Sequence, residues 1–251
     1  MIRLDIQQAV ATLTFDRPEK LNAITPEMGE ALRAHVTAIN ANTDIRAVVL
    51  TGAGAKSFCV GSDVGGLKEY ATPWDFRNRT EYCDSIRALR PPVVAAVNGY
   101  ALGGGLELAL ACDVRIASPN ARFGAPEIKL GWIGGGGMTP MLVNAVGPSN
   151  AAYLVMTGDP VDAPRALAWG LVTEVADDVR ARAHEIASAI AARAPIAAET
   201  AKLNLQAAQA MPLENAIRYE RDLQTICFAT EDAKEGRAAF AEKRAPRFTR
   251  S

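Results

Sequence analysis

Net charge is almost absent from this chain of 251 residues: 27 Lys and Arg stand against 28 Asp and Glu, a formal charge of −1. A surface so balanced offers no electrostatic footing on phosphate backbones or anionic lipid, so neither a nucleic acid nor a membrane is expected as a partner. No apolar run nears the roughly 20 residues that span a bilayer. The opening MIRLDIQQAVATLTF lacks a basic flank, an apolar block and a cleavage site in signal-peptide order, and a cytoplasmic location is the expectation. Cysteine is sparse and unpaired in spacing: Cys59, Cys83, Cys112 and Cys227 form no CxxC, which favours buried thiols over disulfides or metal ligands. No metal site is expected. The only histidines, His35 and His184, fall in helix-like segments away from any Ser or Cys motif, so helix faces explain them better than a catalytic triad.

What is present is an ordinary globular composition, 49% hydrophobic and 22% charged, in a chain long enough to bury a full sheet. IRLDIQQAVATLTFD alternates apolar and polar residues about Gln7-Gln8, the pattern of a hairpin. After the loop RPEKLNAI, Thr25-Pro26 opens a helix carrying Met28, Leu32, Val36 and Ile39 at helical spacing, and the strand-like RAVVLTG follows. The alternation repeats: WDFRNRTEYCDSIRALR reads as helix, PPVVAAVNG as strand, DVRIAS and LVTEVAD as further strands. ARFGAPEIKLGWIGGGG reads as loop. From about Asp178 the chain turns into Ala-rich helices; the last starts at Thr230, with Glu231 and Asp232 in its first turn and Lys243 and Arg244 in its last. These patterns predict an α/β core over residues 1–195 and a helical region over 196–251, the latter too small to hold a core alone and therefore packed on the core or on another subunit.

Two nucleotide motifs fail on spacing. In VVLTGAGAKS a phosphate loop needs glycine where Leu50 and Ala55 stand, and Ser57 replaces the third glycine of GxGxxG. VGSDVG is not GxSxG, so a hydrolase elbow is unsupported.

The stretch GYALGGGLELALACD is different. Gly103, Gly104 and Gly105 run into an apolar helical segment whose only charge before Asp113 is Glu107. Glycines before a helix permit close approach of a ligand and leave the first amides unpaired, an arrangement suited to negative charge developing on a carbonyl oxygen. The same residues serve equally well to pack helix against strand, with Glu107 complementing the dipole. A second glutamate, Glu127 in FGAPEIKLG, follows a proline, and spacing alone does not say whether the two meet.

RPEKLNAI, VVLTGAGAKSFCVGSDVGGL, PPVVAAVNGYALGGGLELALACDVRIAS, ARFGAPEIKLG and EGRAAFAEKRAPRF together resemble the enoyl-CoA hydratase/isomerase superfamily, the crotonase family, over nearly the whole chain. The resemblance implies a spiral of ββα units with a helical C-terminal trimerisation region, assembled as a homotrimer or a dimer of trimers. It implies hydration of a 2-trans-enoyl-CoA, with no cofactor beyond the coenzyme A that enters as part of the substrate. Catalytic positions carried over are Glu107 and Glu127, the amides of Ser62 and Gly104 as an oxyanion cradle, and Gly135 as a holder of water. The CoA positions are Lys20, Leu21 and Ala23, then Val60, Ser62, Asp63 and Val64, with Phe240 and Lys243 reaching a neighbouring subunit's CoA. Isomerases of the family keep the glutamate matching Glu127 and lose the other; both are here, which favours the hydratase over 3-enoyl-CoA isomerisation.

The chain departs from the family where IPGxGGTQRL is usual. IGGGGMTPML places Gly134 for proline, Met138 for glycine and Pro140-Met141 for Gln-Arg, which makes this wall more apolar and leaves another reaction such as thioester hydrolysis open. Trp74, Phe76 and Tyr82 lie where relatives shape the acyl pocket, and are read first as core; Trp132 flanks Glu127.

Overall fold

The computed structural model describes residues 1–66 and 71–251. Among these, the strands form two sheets. The larger runs β1 (Ile2–Gln7), β2 (Val10–Phe15), β3 (Ala47–Gly52), β5 (Val93–Val97), β7 (Val114–Ala117) and β10 (Glu174–Val175) in that order, antiparallel at the β1–β2 hairpin and parallel thereafter. The hairpin turns one residue later than the alternation suggests, because Gln8 takes the left-handed conformation (φ 54°) and passes the bend to Ala9.

AVVLTG and VVAAV are apolar throughout because both faces of the sheet are covered. Alternate residues go opposite ways. Val48, Leu50, Val93, Ala95 and Val97 face the main core with α1 (Pro26–Ala41), whereas Ala47, Val49, Val94 and Ala96 meet the Val179, Ala183, Ala187 and Ala191 stripe of α7 (Val179–Ala191). Thr25 caps α1 by accepting from the Met28 amide at 3.3 Å.

The smaller sheet positions the functional residues. It runs β4 (Ser57–Cys59), β6 (Tyr100–Leu102), β8 (Arg122–Gly124) and β9 (Val161–Asp162), the first three parallel. Their C-terminal ends therefore lie side by side and deliver Val60–Ser62, Gly103–Gly104 and Glu127 to one edge. Gly103 donates to the Gly124 carbonyl at 2.9 Å, tying two of those ends together.

The segment expected as one helix over WDFRNRTEYCDSIRALR is two: α2 (Pro73–Arg77) and α3 (Tyr82–Arg87). At the end of α2 two side chains join the backbone amides of Asn78 and Arg79 on its carbonyls, Asn78 Nδ2 donating to Trp74 at 2.9 Å and Arg79 Nη1 to Phe76 at 2.7 Å. Residues 78–81 lie between the two helices. The break also corrects the reading of Trp74 and Phe76 as core, since Trp74 is 68% exposed and Phe76 49%.

Pro195 is the first residue of α8 (Pro195–Ala208), which pairs with α9 (Leu213–Phe228) and is followed by α10 (Glu231–Ala241). Lys202 of α8 is buried between Asp113 (3.1 Å) and the Pro91 carbonyl (3.2 Å), anchoring the helical region to the sheet. Lys243 and Arg244 fall beyond the end of α10, where Lys243 turns left-handed (φ 55°) and Arg244 pairs with Glu235. Cys59, Cys83 and Cys112 are buried and free, and Cys227 is half-buried and free.

Candidate active site

Three glycines bring β4 and α4 (Gly104–Leu110) into backbone contact. Gly61 (φ 84°) lies where a Cβ would stand 2.7 Å from the Gly104 nitrogen, and a Cβ on Gly105 would collide with the Cys59 carbonyl. Gly103 (φ 56°) turns the chain into the helix. The Gly61 carbonyl accepts from Ile24 at 2.8 Å and the Asp63 amide donates to Ile24 at 2.9 Å, so the amide between them, that of Ser62, is left over. Gly104 is the first residue of its helix and has no intrahelical acceptor. Among the described residues no group accepts from either amide, and their residues are neighbours across the Gly61 contact. The Ser62 hydroxyl is turned to Tyr82, 3.2 Å away, and Tyr82 OH packs against Gly104. Burial holds the Tyr82 phenol well above its ordinary pKa and hence protonated.

Glu107 sits one turn into α4, only 4% exposed. Its Oε1 accepts from the amides of Gly136 (2.8 Å) and Met138 (3.1 Å), and the Cys83 thiol lies 3.9 Å from Oε2. Burial raises its carboxyl above the ordinary range; the two amides oppose this, and the charges of Glu127 and Glu81 add to it. Glu127 is carried by a 3-10 turn, Pro126–Leu130, opened by the proline and closed by left-handed Gly131. Its Oε1 faces Gly103, where a Cβ would stand 3.0 Å away, while Oε2 is buried and accepts no hydrogen bond from the described residues. Burial raises this carboxyl too, its own backbone amide opposing. Of the two glutamates predicted from the motif, Glu127 thus faces the residue before the Gly104 amide, Glu107 lies one turn into the helix that Gly104 opens, and the charge of Glu127 reaches Glu107.

The loop departures are coupled. A Cβ at Gly134 would stand 2.5 Å from Cβ of Met138 and 2.8 Å from Glu107 Oε1, so a residue with a side chain at 138 leaves room only for glycine at 134. Gly136 is equally constrained, its Cβ position lying 2.6 Å from Glu107 Oε2. Gly135, the expected water holder, lies between them with its Cα facing Arg79.

Two of the expected CoA stretches meet. The Ile24–Ser62 bridge draws Lys20, Leu21 and Ala23 beside Val60, Asp63 and Val64. Residues that sequence reasoning missed make the splice. Asn22, wholly buried, donates to the Ala53 (3.1 Å) and Ser57 (2.8 Å) carbonyls, and Arg17 bonds Asp63 at 2.6 Å, which holds that carboxyl below its ordinary range. The asparagine of RPEKLNAI, flanked by Leu21 and Ala23, was the signal available. Phe240, 87% exposed, and Lys243 line no part of the cavity beside Ser62. That cavity, about 310 Å³, is bounded by Ser62, Phe76, Arg79, Glu81 and Tyr82 among others. A larger open concavity of about 910 Å³ lies between α10 and the terminal residues and touches neither glutamate.

A family model described as enoyl-CoA hydratase/isomerase matches residues 5–251. The chain belongs to the enoyl-CoA hydratase/isomerase family. It is 40% identical to the (E)-benzylidenesuccinyl-CoA hydratase of Thauera aromatica, over 98% of each chain. It is 38% identical to the short-chain-enoyl-CoA hydratase of Clostridium acetobutylicum, over 96% of this chain and 94% of that one. The crystal structure of an enoyl-CoA hydratase from Bacillus anthracis superposes with a TM-score of 0.92 at 34% identity, covering 100% of this chain and 99% of the other. The crotonase-type fold of this family, with its helical C-terminal region, is the one described above.

Proposed function

We propose that Glu107 and Glu127 together carry the reaction of this enoyl-CoA hydratase, syn addition of water to a 2-trans-enoyl-CoA to give the 3-hydroxyacyl-CoA. The thioester carbonyl oxygen accepts from the Ser62 and Gly104 amides, which withdraw charge as the acyl group becomes an enolate. Glu107, already accepting from two amides, is the carboxylate suited to stay ionised and to take a proton from water as its oxygen bonds C3. Glu127, whose buried Oε2 accepts no hydrogen bond, is suited to hold a proton and hand it to C2. One proton enters Glu107 and one leaves Glu127, so a single exchange between the two acids restores the site. The Gly135 amide is assigned to the water, and Lys20, Leu21, Ala23 and Val60 to Val64 to the CoA moiety.

The observation that carries this reading is two buried carboxyls with raised pKa, one facing Gly103 and the other a turn into the helix that Gly104 opens. Glu107→Gln and Glu127→Gln are each expected to lower kcat for crotonyl-CoA by at least about a hundredfold, with 3-hydroxybutyryl-CoA as the product identified by mass spectrometry. Full activity in either variant removes the pair mechanism. If the Glu107 variant retained 3-enoyl-CoA isomerisation while losing hydration, the roles given to the two acids would stand.

Leu203, Leu205, Leu213, Ile226, Phe228 and Phe240 are exposed on α8 to α10. Such a surface supports assembly as a homotrimer or a dimer of trimers, with Phe240 and Lys243 reaching a neighbour's CoA and a cytoplasmic location. Light scattering on the purified chain is expected to return three or six copies; a monomer would refute assembly.

A further inference from the structure

We infer that Arg79 selects acyl groups whose far end carries a carboxylate, so that the preferred substrates are 2-enoyl thioesters of short dicarboxylic acids. This deepens the hydratase reading and rests on it, because the acyl chain is taken to run from the Ser62–Gly104 cradle past Gly135.

A chamber for a plain alkenoyl chain would be lined by apolar side chains. This one is not. Ser62 and Tyr82 connect the cradle to the 310 Å³ cavity, which is lined by Arg79 and Glu81 but by neither Glu107 nor Glu127, so Arg79 stands between that cavity and the glycine loop. Their side chains are only 23% and 18% exposed. The guanidinium is aimed by the break between α2 and α3: Nη1 donates to the Phe76 carbonyl at 2.7 Å and the guanidinium carbon stands 3.9 Å from the centre of the Phe76 ring. It lies against the glycine loop, where a Cβ on Gly135 would be 2.6 Å from Nη2. The next residue of that loop, Gly136, holds Glu107. Arg79 therefore occupies the wall beside the reacting centre.

Its present partner is a poor one. Arg79 and Glu81 are in close charge contact, but Glu81 Oε1 is buried and accepts no hydrogen bond, so the pair is misaligned. Burial raises the Glu81 carboxyl, Arg79 opposing. Among the described residues Arg79 Nε has no acceptor. An apolar tail entering here would bury the pair further and supply no bond, which disfavours it. A carboxylate would match the planar fork of the guanidinium with two aligned, charge-assisted hydrogen bonds. Arg33 on the same cavity is offset by Glu30 and Asp63, so the selection rests on the Arg79 fork and not on a positive field.

The test compares kcat/KM for trans-2-pentenedioyl-CoA and trans-2-hexenedioyl-CoA with that for trans-2-hexenoyl-CoA. The unsubstituted protein is expected to favour the better of the two diacid thioesters at least about tenfold. Arg79→Gln is expected to lower that ratio at least about tenfold, through KM more than kcat, and Arg79→Lys to recover part of it. A ratio below tenfold in the unsubstituted protein, or one unmoved by Arg79→Gln, overturns the proposal. Should the variant not fold, the methyl ester of the hexenedioyl-CoA decides on the unsubstituted protein: equal use of acid and ester overturns it, and a tenfold loss with the ester supports it. Failure to hydrate crotonyl-CoA or any of these thioesters would instead refute the hydratase reading. Arg79 would then be judged by calorimetric titration of hexenedioyl-CoA and hexenoyl-CoA, equal affinities overturning the proposal.

Discussion

The floor of the active site and its outer wall are built on opposite plans. The floor, Val60–Ser62 with Gly103–Glu107, is backbone against backbone: the nearest approaches leave no space for a single methyl at Gly61 or Gly105. The wall over residues 72–81 is held by its own side chains. Thr72 accepts from the Asp75 amide at 3.1 Å, Asn78 and Arg79 take the last carbonyls of α2, and Trp74 stands in solvent. On the mechanism proposed above, charge stabilisation is assigned to groups that cannot rearrange and substrate discrimination to a short, locally capped turn.

The largest break in this contrast is expected at Gly61→Ala. The residue needs positive φ, and its Cβ would press on the Gly104 amide. Loss of one oxyanion donor predicts a fall in kcat of roughly a hundred- to a thousandfold, read with crotonyl-CoA alongside circular dichroism to confirm folding. A loss below tenfold would show that the floor can give.

Next in size is the coupling within the glycine loop. Gly134→Ala is expected to cost about 1–3 kcal/mol by crowding Met138 and Glu107. Gly134→Ala should cost less in a Met138→Gly background than in the parent, read by urea denaturation of the two single variants and the double variant. Strict additivity would mean that the two departures from the family pattern are independent.

The smallest effect sharpens the electrostatics of the floor. Burial raises the Glu127 carboxyl, so the folded protein binds that proton more tightly than the unfolded chain. Stability then falls as pH rises from the ordinary glutamate value of about 4.3 through the raised folded value, and the difference is constant below that window. Glu127→Gln, which does not titrate, should gain stability on its parent across that window, measured by denaturant midpoints from about pH 4 to about pH 8. A gap that narrows with pH would mean that the carboxylate is favoured when charged.

Much of this was legible before the fold. Burial of β3 and β5 on both faces follows from runs such as VVLTG and VVAAV between helical segments, and the order of the five blocks pointed to both glutamates and to the paired amides. The wall was not legible. WDFRNRTEYCDSIRALR has continuous helical composition, and nothing in spacing shows that Asn78 and Arg79 spend their side chains ending a helix. Arg17, Asn22 and the Gly136 and Met138 amides were also missed, because their partners lie 29 to 46 positions away in the chain.

By itself the sequence determined which residue types reach the site, since strand and helix periods and glycine conformations are local properties of the chain. Only the tertiary structure decided that the charge of Glu127 reaches Glu107, that the Ser62 and Gly104 amides are both left unpaired among the described residues, and that Arg79 stands against Gly135 and lines the cavity beside Ser62. Those facts depend on the parallel register of β4, β6 and β8, and register is a contact between distant segments that no local pattern encodes.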